Sequence, residues 1–218
     1  MFYESSKYPF TAQILAKYDQ IKEEMERTLA LPLQQLDQNT WAGERPNYLT
    51  SSFDAKLAWK TYVFKYFGIN HRPNQEACPV FSKLLEEFPF IATAEFSMLE
   101  PNTHILPHKG FTGKVLRSHL GMVVPEGDLG IRVGNETRKW KEKEWLVFDD
   151  SIEHEAWNKT AQRRIVLMID FDPDLSAQKV NKVCKEVLMK TNDKHMMDIA
   201  SREDWLNWFD KGEFPRDL

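Results

Sequence analysis

FSMLEPNTHILPHKGFTGKVLRSHLGMVVP, residues 96–125, and its later counterpart WLVFDDSIEHEAWNKTAQRRIVLMIDF, residues 145–171, decide how this chain folds. Both are built from short apolar runs broken by turn formers, and both carry groups that such runs rarely hold. Four of the six histidines (His104, His108, His119, His154) fall here, and the arginines Arg117 and Arg164 lie inside the apolar runs. Charged and imidazole groups are costly inside apolar strands unless something binds them. A metal ion and an acidic small molecule would meet that need.

Working outward, the segment from Ile91 onward reads as strands at 93–99, 103–106, 115–124, 129–134, 136–141, 145–149, 153–157 and 163–171. Pro101-Asn102, Lys109-Gly110, Pro125-Glu126-Gly127 and Asn135 punctuate them. About eight short strands at this spacing predict an antiparallel barrel or double-sheet jelly roll. Helices are expected at 11–29, at Cys78–Phe88 with Pro79 in the first turn, at 175–190 and at 202–210. Residues 30–53 read as irregular. From Ala55 to Phe67 the chain suits a strand or a short helix, and the aromatics favour strand in the second half.

Strand alternation places the unusual residues. In 115–124, Val115, Arg117, His119, Gly121 and Val123 share one face. In 163–170, Arg164, Val166, Met168 and Asp170 share one face. A buried arginine on a central strand needs an acidic partner, supplied by a protein carboxylate or by a ligand's. His108 and His154 sit at strand ends, where two imidazoles can share a metal ion. Taken singly, each histidine is more often a hydrogen-bonded structural residue. Asp149, Asp150 and Asp170 read as capping or turn residues, and His104, with Pro107 between it and His108, as structural. His71 and His195 read as surface residues. Trp140, Trp145 and Trp157 read as core or rim packing.

At 218 residues with 42% hydrophobic and 28% charged residues, the composition is that of an ordinary globular protein. A net charge of -4 gives no reason to expect nucleic acid as a partner. No apolar run approaches the ~20 residues of a membrane span, and MFYESSKYPF lacks the apolar stretch of a secretory signal. A cytoplasmic setting is the expectation. Cys78 and Cys184 match no metal or redox spacing and are expected to be buried free thiols. We expect one domain over 1–218: an N-terminal helix and irregular segment at 1–54, a catalytic core at 55–175, and C-terminal helices at 176–218. The terminal helices would cover a barrel face or form a homodimer contact.

From about Trp59 to Leu175 the sequence resembles the aspartyl/asparaginyl β-hydroxylase family of Fe(II)- and 2-oxoglutarate-dependent oxygenases. The matching pieces are CPVF (78–81), LEPNTHILPHKG (99–110), LRSHLGMVVP (116–125), VGNETRKW (133–140), VFDDSIEHEAWN (147–158) and RRIVLMIDFDPDL (163–175). The resemblance implies a mainly β fold with flanking helices, the double-stranded β-helix or cupin-like jelly roll. It implies a dioxygenase using Fe(II), 2-oxoglutarate and O2 to hydroxylate an unactivated carbon of an amino-acid-derived or peptide substrate. His108 and His154 would be the iron ligands. Arg164 and Ser97 would hold the distal carboxylate of 2-oxoglutarate, and Arg117 and His119 the carboxylate beside the keto group. Most wider relatives carry an acidic residue two positions after the first ligand; Gly110 stands there, as in this branch, where water takes its place. A lipid or natural-product substrate, or a non-catalytic dicarboxylate- or metal-binding module, remains an alternative.

Overall fold

The alternation seen in the sequence is realised as thirteen strands among the described residues. A computed structural model describes residues 1–29, 40–41, 49–51 and 58–216. The strands are β1 (Phe2–Tyr3), β2 (Thr40–Trp41), β3 (Leu49–Ser51), β4 (Trp59–Tyr66), β5 (Ile69–Asn70), β6 (Ile91–Leu99) and β7 (Thr103–His108), followed by β8 (Leu116–Val123), β9 (Leu129–Val133), β10 (Glu136–Arg138), β11 (Trp145–Phe148), β12 (His154–Asn158) and β13 (Arg164–Phe171). They form two sheets, one in the order β1-β11-β8-β13-β6-β4-β2 with β5 beside β4, the other β10-β9-β12-β7-β3. Within β6–β13 the strands divide four and four between the sheets. All their ladders are antiparallel. This is the mainly β, cupin-like jelly roll with flanking helices that the strand spacing anticipates. Asn102, at φ 52° in the turn between β6 and β7, takes the left-handed conformation that Asn tolerates.

The faces follow the period of two. Across the large sheet, Arg117 lies opposite Asp170, and His119 opposite Met168. Val166 lies opposite Ser97, and Arg164 opposite Leu99. These residues look into the space between the sheets, where Leu99, Ile105, Ile131, Val133, Phe148 and Val166 form a buried cluster. The other face of the large sheet is mostly apolar, with Ser118 and Lys60 buried among its hydrophobic residues. Phe96, Leu120, Met122, Leu167 and Ile169 pack there against helices α1 (Pro9–Leu15), α2 (Tyr18–Leu29) and α4 (Pro79–Glu87), and α3 (Arg72–Ala77) lies against β4. Phe10 meets Phe171 edge-on with centroids 4.8 Å apart, a geometry worth about 1 kcal/mol beyond the area buried. Losing either ring would cost about 3–5 kcal/mol.

The expected single helix at 11–29 is instead two, α1 and α2, parted at Ala16–Lys17. The Tyr18 hydroxyl lies within hydrogen-bonding distance of the Gly121 and Met122 carbonyls, 3.0 and 3.2 Å away, which pulls α2 onto strand β8. The buried Glu24 carboxylate accepts from the backbone N–H groups of Val80 and Phe81, holding the N-terminus of α4 where its dipole favours an anion. Helices α5 (Ala177–Lys190), α6 (Lys194–Ile199) and α7 (Arg202–Lys211) close one end of the sheet. There Val180, Val183, Val187 and Leu188 bury against Phe67, Ile69 and Val115, with Trp205 at the centre. Helices α3 and α6 are too short for periodicity to announce them. Of the 30–53 segment expected to be irregular, the described part is the two strands β2 and β3; the rest, like Ala55–Leu57, lies outside the described residues. Strand β10 stops at Arg138, short of the 136–141 expected. Cys78 and Cys184 are buried free thiols.

Candidate functional site

The two strand-end histidines meet. His108 on β7 stands directly opposite His154 on β12, with ring centroids 4.2 Å apart. Strict alternation from Ile105 would turn His108 outward. The ladder corrects this: Ile105 faces Ala156 and His108 faces His154, so three steps on β7 match two on β12. The extra residue, at Leu106-Pro107, is a bulge that returns His108 to the inner face. Each ring then brings Nδ1 against the carbonyl two residues earlier. His108 reaches Leu106 O at 2.7 Å and His154 reaches Ile152 O at 2.9 Å. A carbonyl only accepts, so Nδ1 carries a proton, and in the neutral ring the lone pair lies on Nε2. This is the second contact that commonly orients a metal-binding imidazole. Burial, then the neighbouring His108 and Arg117, pull His154 down to about 3, so it is neutral at neutral pH. Among the described residues no group of three or more His, Cys, Asp or Glu side chains could hold a metal, so any ion here would rest on two imidazoles.

The two arginines have opposite fates. Arg117 has protein partners: its Nε and Nη2 donate to the two oxygens of Asp170 at 2.7 and 2.8 Å, and Asp150 lies 3.2 Å away. Burial opposes its charge, but Asp170 and Asp150 hold it firmly protonated. Asp150 and Asp170 are therefore buried ion-pair partners and not the turn residues expected; only Asp149 caps a turn, accepting from Ser151 N–H and hydroxyl. Burial pushes the Asp150 carboxyl up to about 6. Arg164, 2% exposed, has no carboxylate partner among the described residues. Its Nη1 donates to Ser97 O at 3.2 Å, its guanidinium stacks 4.6 Å over Trp140, and its Nε has no partner among those residues. Burial alone pulls it down to about 9. A cation left this way in the interior is a place for an anion from outside.

Donors surround it. His119 is buried, with Nδ1 accepting from Trp140 Nε1–H at 3.2 Å and Nε2 unpaired among the described residues. Burial, then Arg164 and Arg117, push its pKa well below the usual value, so it is neutral. The Ser97 hydroxyl accepts from Trp59 Nε1–H at 3.1 Å, which directs its own hydrogen elsewhere. Gly110 N–H donates to Asp150 O at 2.7 Å, and a Cβ at Gly110 would fall 2.0 Å from Asp150 Oδ2. No side chain fits at 110 while Asp150 stands.

A cavity of about 130 Å³ opens beside His108, lined by Trp59, Tyr66, Glu95, Phe111, Met168 and His195 of α6. Half-buried His195 is thus a wall residue, and His71, 2% exposed, caps α3 by accepting from Asn74 N–H; neither is the surface residue expected. His104 faces outward to Glu155 at 2.7 Å. Trp140 had no sequence signal separating it from the other tryptophans.

The family model for aspartyl/asparaginyl β-hydroxylase matches residues 15–173. The chain belongs to that family. Among relatives, the ornithine lipid ester-linked acyl 2-hydroxylase of Rhizobium tropici is 39% identical over 171 residues, 78% of this chain and 59% of that protein. The human aspartyl/asparaginyl β-hydroxylase is 40% identical over 116 residues, 49% of this chain and 15% of that protein. The chain thus spans only part of each. Among solved structures, the cupin domain of an XRE family transcriptional regulator from Enterobacter cloacae aligns at 13% identity over 39% of this chain and 84% of that one, with a TM-score of 0.33. Strand order, and not that likeness, defines the architecture of this family member.

Proposed function

We propose that this chain is an Fe(II)- and 2-oxoglutarate-dependent dioxygenase that hydroxylates an unactivated carbon. The observation that carries the reading is a buried arginine with no carboxylate partner among the described residues, on the same inner side of the sheets as a pair of imidazoles whose Nδ1 atoms are held by backbone carbonyls. The donor set suits both groups. Imidazole is a good ligand for Fe(II), and two of them leave positions for an oxidant. The donors at Arg164 Nε and His119 Nε2, unpaired among the described residues, suit a dicarboxylate.

His108 and His154 would hold the metal. Arg164 and Ser97 would take the distal carboxylate of 2-oxoglutarate, and His119 and Arg117 the carboxylate beside the keto group. Because Asp170 and Asp150 already balance Arg117, that arginine would orient its ligand more than attract it. Asp150 keeps residue 110 bare, so no side chain from that position would reach a metal held by His108 and His154. With O2, bound Fe(II) and 2-oxoglutarate supply oxidative decarboxylation to succinate and CO2 coupled to insertion of one oxygen into a C–H bond.

The substrate in this reading is the β-carbon of an aspartyl or asparaginyl residue or a related amino-acid derivative. The 39% identity to a protein named for hydroxylating the acyl chain of ornithine lipid favours a lipid acyl chain as the second reading. The cavity wall mixes Trp59, Phe111 and Met168 with Glu95 and His195, and admits either.

The test is succinate formation from 2-oxoglutarate with Fe(II) and ascorbate under air, for the wild type, His108→Ala and Arg164→Ala. Succinate from the wild type alone is the expected result. A wild type that makes none and does not bind 2-oxoglutarate with Mn(II) would overturn the reading in favour of a non-catalytic module. Adding aspartyl peptides or ornithine lipid, and seeing which raises turnover, separates the two substrate classes.

A further inference from the structure

We infer that Trp140 is the positioning residue that commits the anion pocket to donors, by fixing His119 as an Nε2–H donor and by supporting Arg164 from below. The inference rests on the 2-oxoglutarate reading given above for what the pocket binds, but the hold itself stands on geometry. An indole N–H can only donate. With Trp140 Nε1 at 3.2 Å from His119 Nδ1, Nδ1 must accept, and the single proton of the neutral ring is placed on Nε2. That nitrogen is buried and has no partner among the described residues. A ring turned to the other tautomer would offer a lone pair to the ligand's oxygen and repel it. It would also leave two donors facing each other at Nδ1.

The same indole acts on the arginine. The Arg164 guanidinium lies 4.6 Å from the Trp140 ring centroid, where the ring face favours a cation. Phe148 meets the His119 ring edge-on at 5.1 Å and closes its other side. Trp140 is 3% exposed and comes from the segment after β10, so this segment reaches back across the barrel to set two side chains on β8 and β13. A purely packing role would need the ring and not the N–H.

Trp140→Phe keeps a ring and removes the donor. The experiment pairs histidine 15N NMR of the metal-free protein with calorimetric titration of 2-oxoglutarate in the presence of Mn(II). In the wild type, His119 is expected as the Nε2–H tautomer with a hydrogen-bonded Nδ1. In Trp140→Phe that Nδ1 signature is lost and the affinity for 2-oxoglutarate falls by roughly tenfold or more, the effect of one hydrogen bond to a charged ligand. In a His119→Gln background, where no tautomer remains to be set, Trp140→Phe costs less than in the wild type.

A wild-type His119 protonated on Nδ1 would overturn the inference whatever the variants do. So would a Trp140→Phe protein whose His119 signal is unchanged, or one whose signal changes at constant affinity, or losses that simply add across the double variant. If the wild type itself does not bind 2-oxoglutarate, the cosubstrate reading falls instead, and the His119 signal in Trp140→Phe alone then judges the hold of Trp140.

Discussion

Replacing Arg164 with Met should make the protein more stable while removing its capacity for 2-oxoglutarate. Arg164 is 2% exposed and no described carboxylate pairs with it. Burial pulls its pKa from the ordinary 12.5 to about 9, which is on the order of 5 kcal/mol against the charged form. The folded state holds this proton more weakly than the unfolded chain does. The penalty is therefore full at pH 7 and fades as pH rises through about 9 toward 12.5. Against it stand the bond to Ser97 O and the stack on Trp140, together about 2–3 kcal/mol. Met roughly fills the same volume without a charge, so the net gain should be about 1–4 kcal/mol. For a chain of this size that is a rise in Tm of roughly 2–15 °C. The assay is thermal unfolding with Mn(II), with and without 2-oxoglutarate. The wild type should gain stability from 2-oxoglutarate, and the variant should start higher and gain none. A variant that melts below the wild type, as an ordinary core substitution would, refutes the claim that this charge is held for a ligand. A variant that 2-oxoglutarate still stabilises does the same.

Asp170→Asn should behave oppositely, destabilising by about 3–5 kcal/mol in urea unfolding because it strips Arg117 of its bidentate partner; a loss under about 1 kcal/mol would show that Asp150 alone suffices. Gly110→Ala should cost about 1–3 kcal/mol, since its Cβ falls 2.0 Å from Asp150 Oδ2. Adding Asp150→Ala should recover part of that loss, and no recovery would place the strain elsewhere. Burial lowers the His71 pKa, so the folded state binds its proton less readily than the unfolded chain, and stability is lost as pH falls through about 6.5. Between pH 7.5 and 5.5, His71→Asn, which keeps an N-cap acceptor for Asn74 N–H, should lose up to about 1.4 kcal/mol less than the wild type. Equal losses would mean that His71 takes up its proton as readily in the fold as in the unfolded chain.

Local pattern determined a good deal. Alternation alone put Arg117 with His119, and Arg164 with Asp170, because side chains on a strand can point only two ways. Turn formers between β-rich runs set the strand count, and the antiparallel jelly roll follows from burying that many half-apolar strands. Tertiary structure decided the chemistry those strands present. The bulge at Leu106-Pro107, visible only once β7 is paired with β12, turns His108 inward. Which arginine carries an internal counter-ion depended on Asp170 lying across the ladder from Arg117, and on no carboxylate among the described residues pairing with Arg164. Trp140 became part of the site through the path its segment takes back to His119. Each of these is a contact between residues distant in sequence, and spacing along one strand carries no information about which strand will lie beside it.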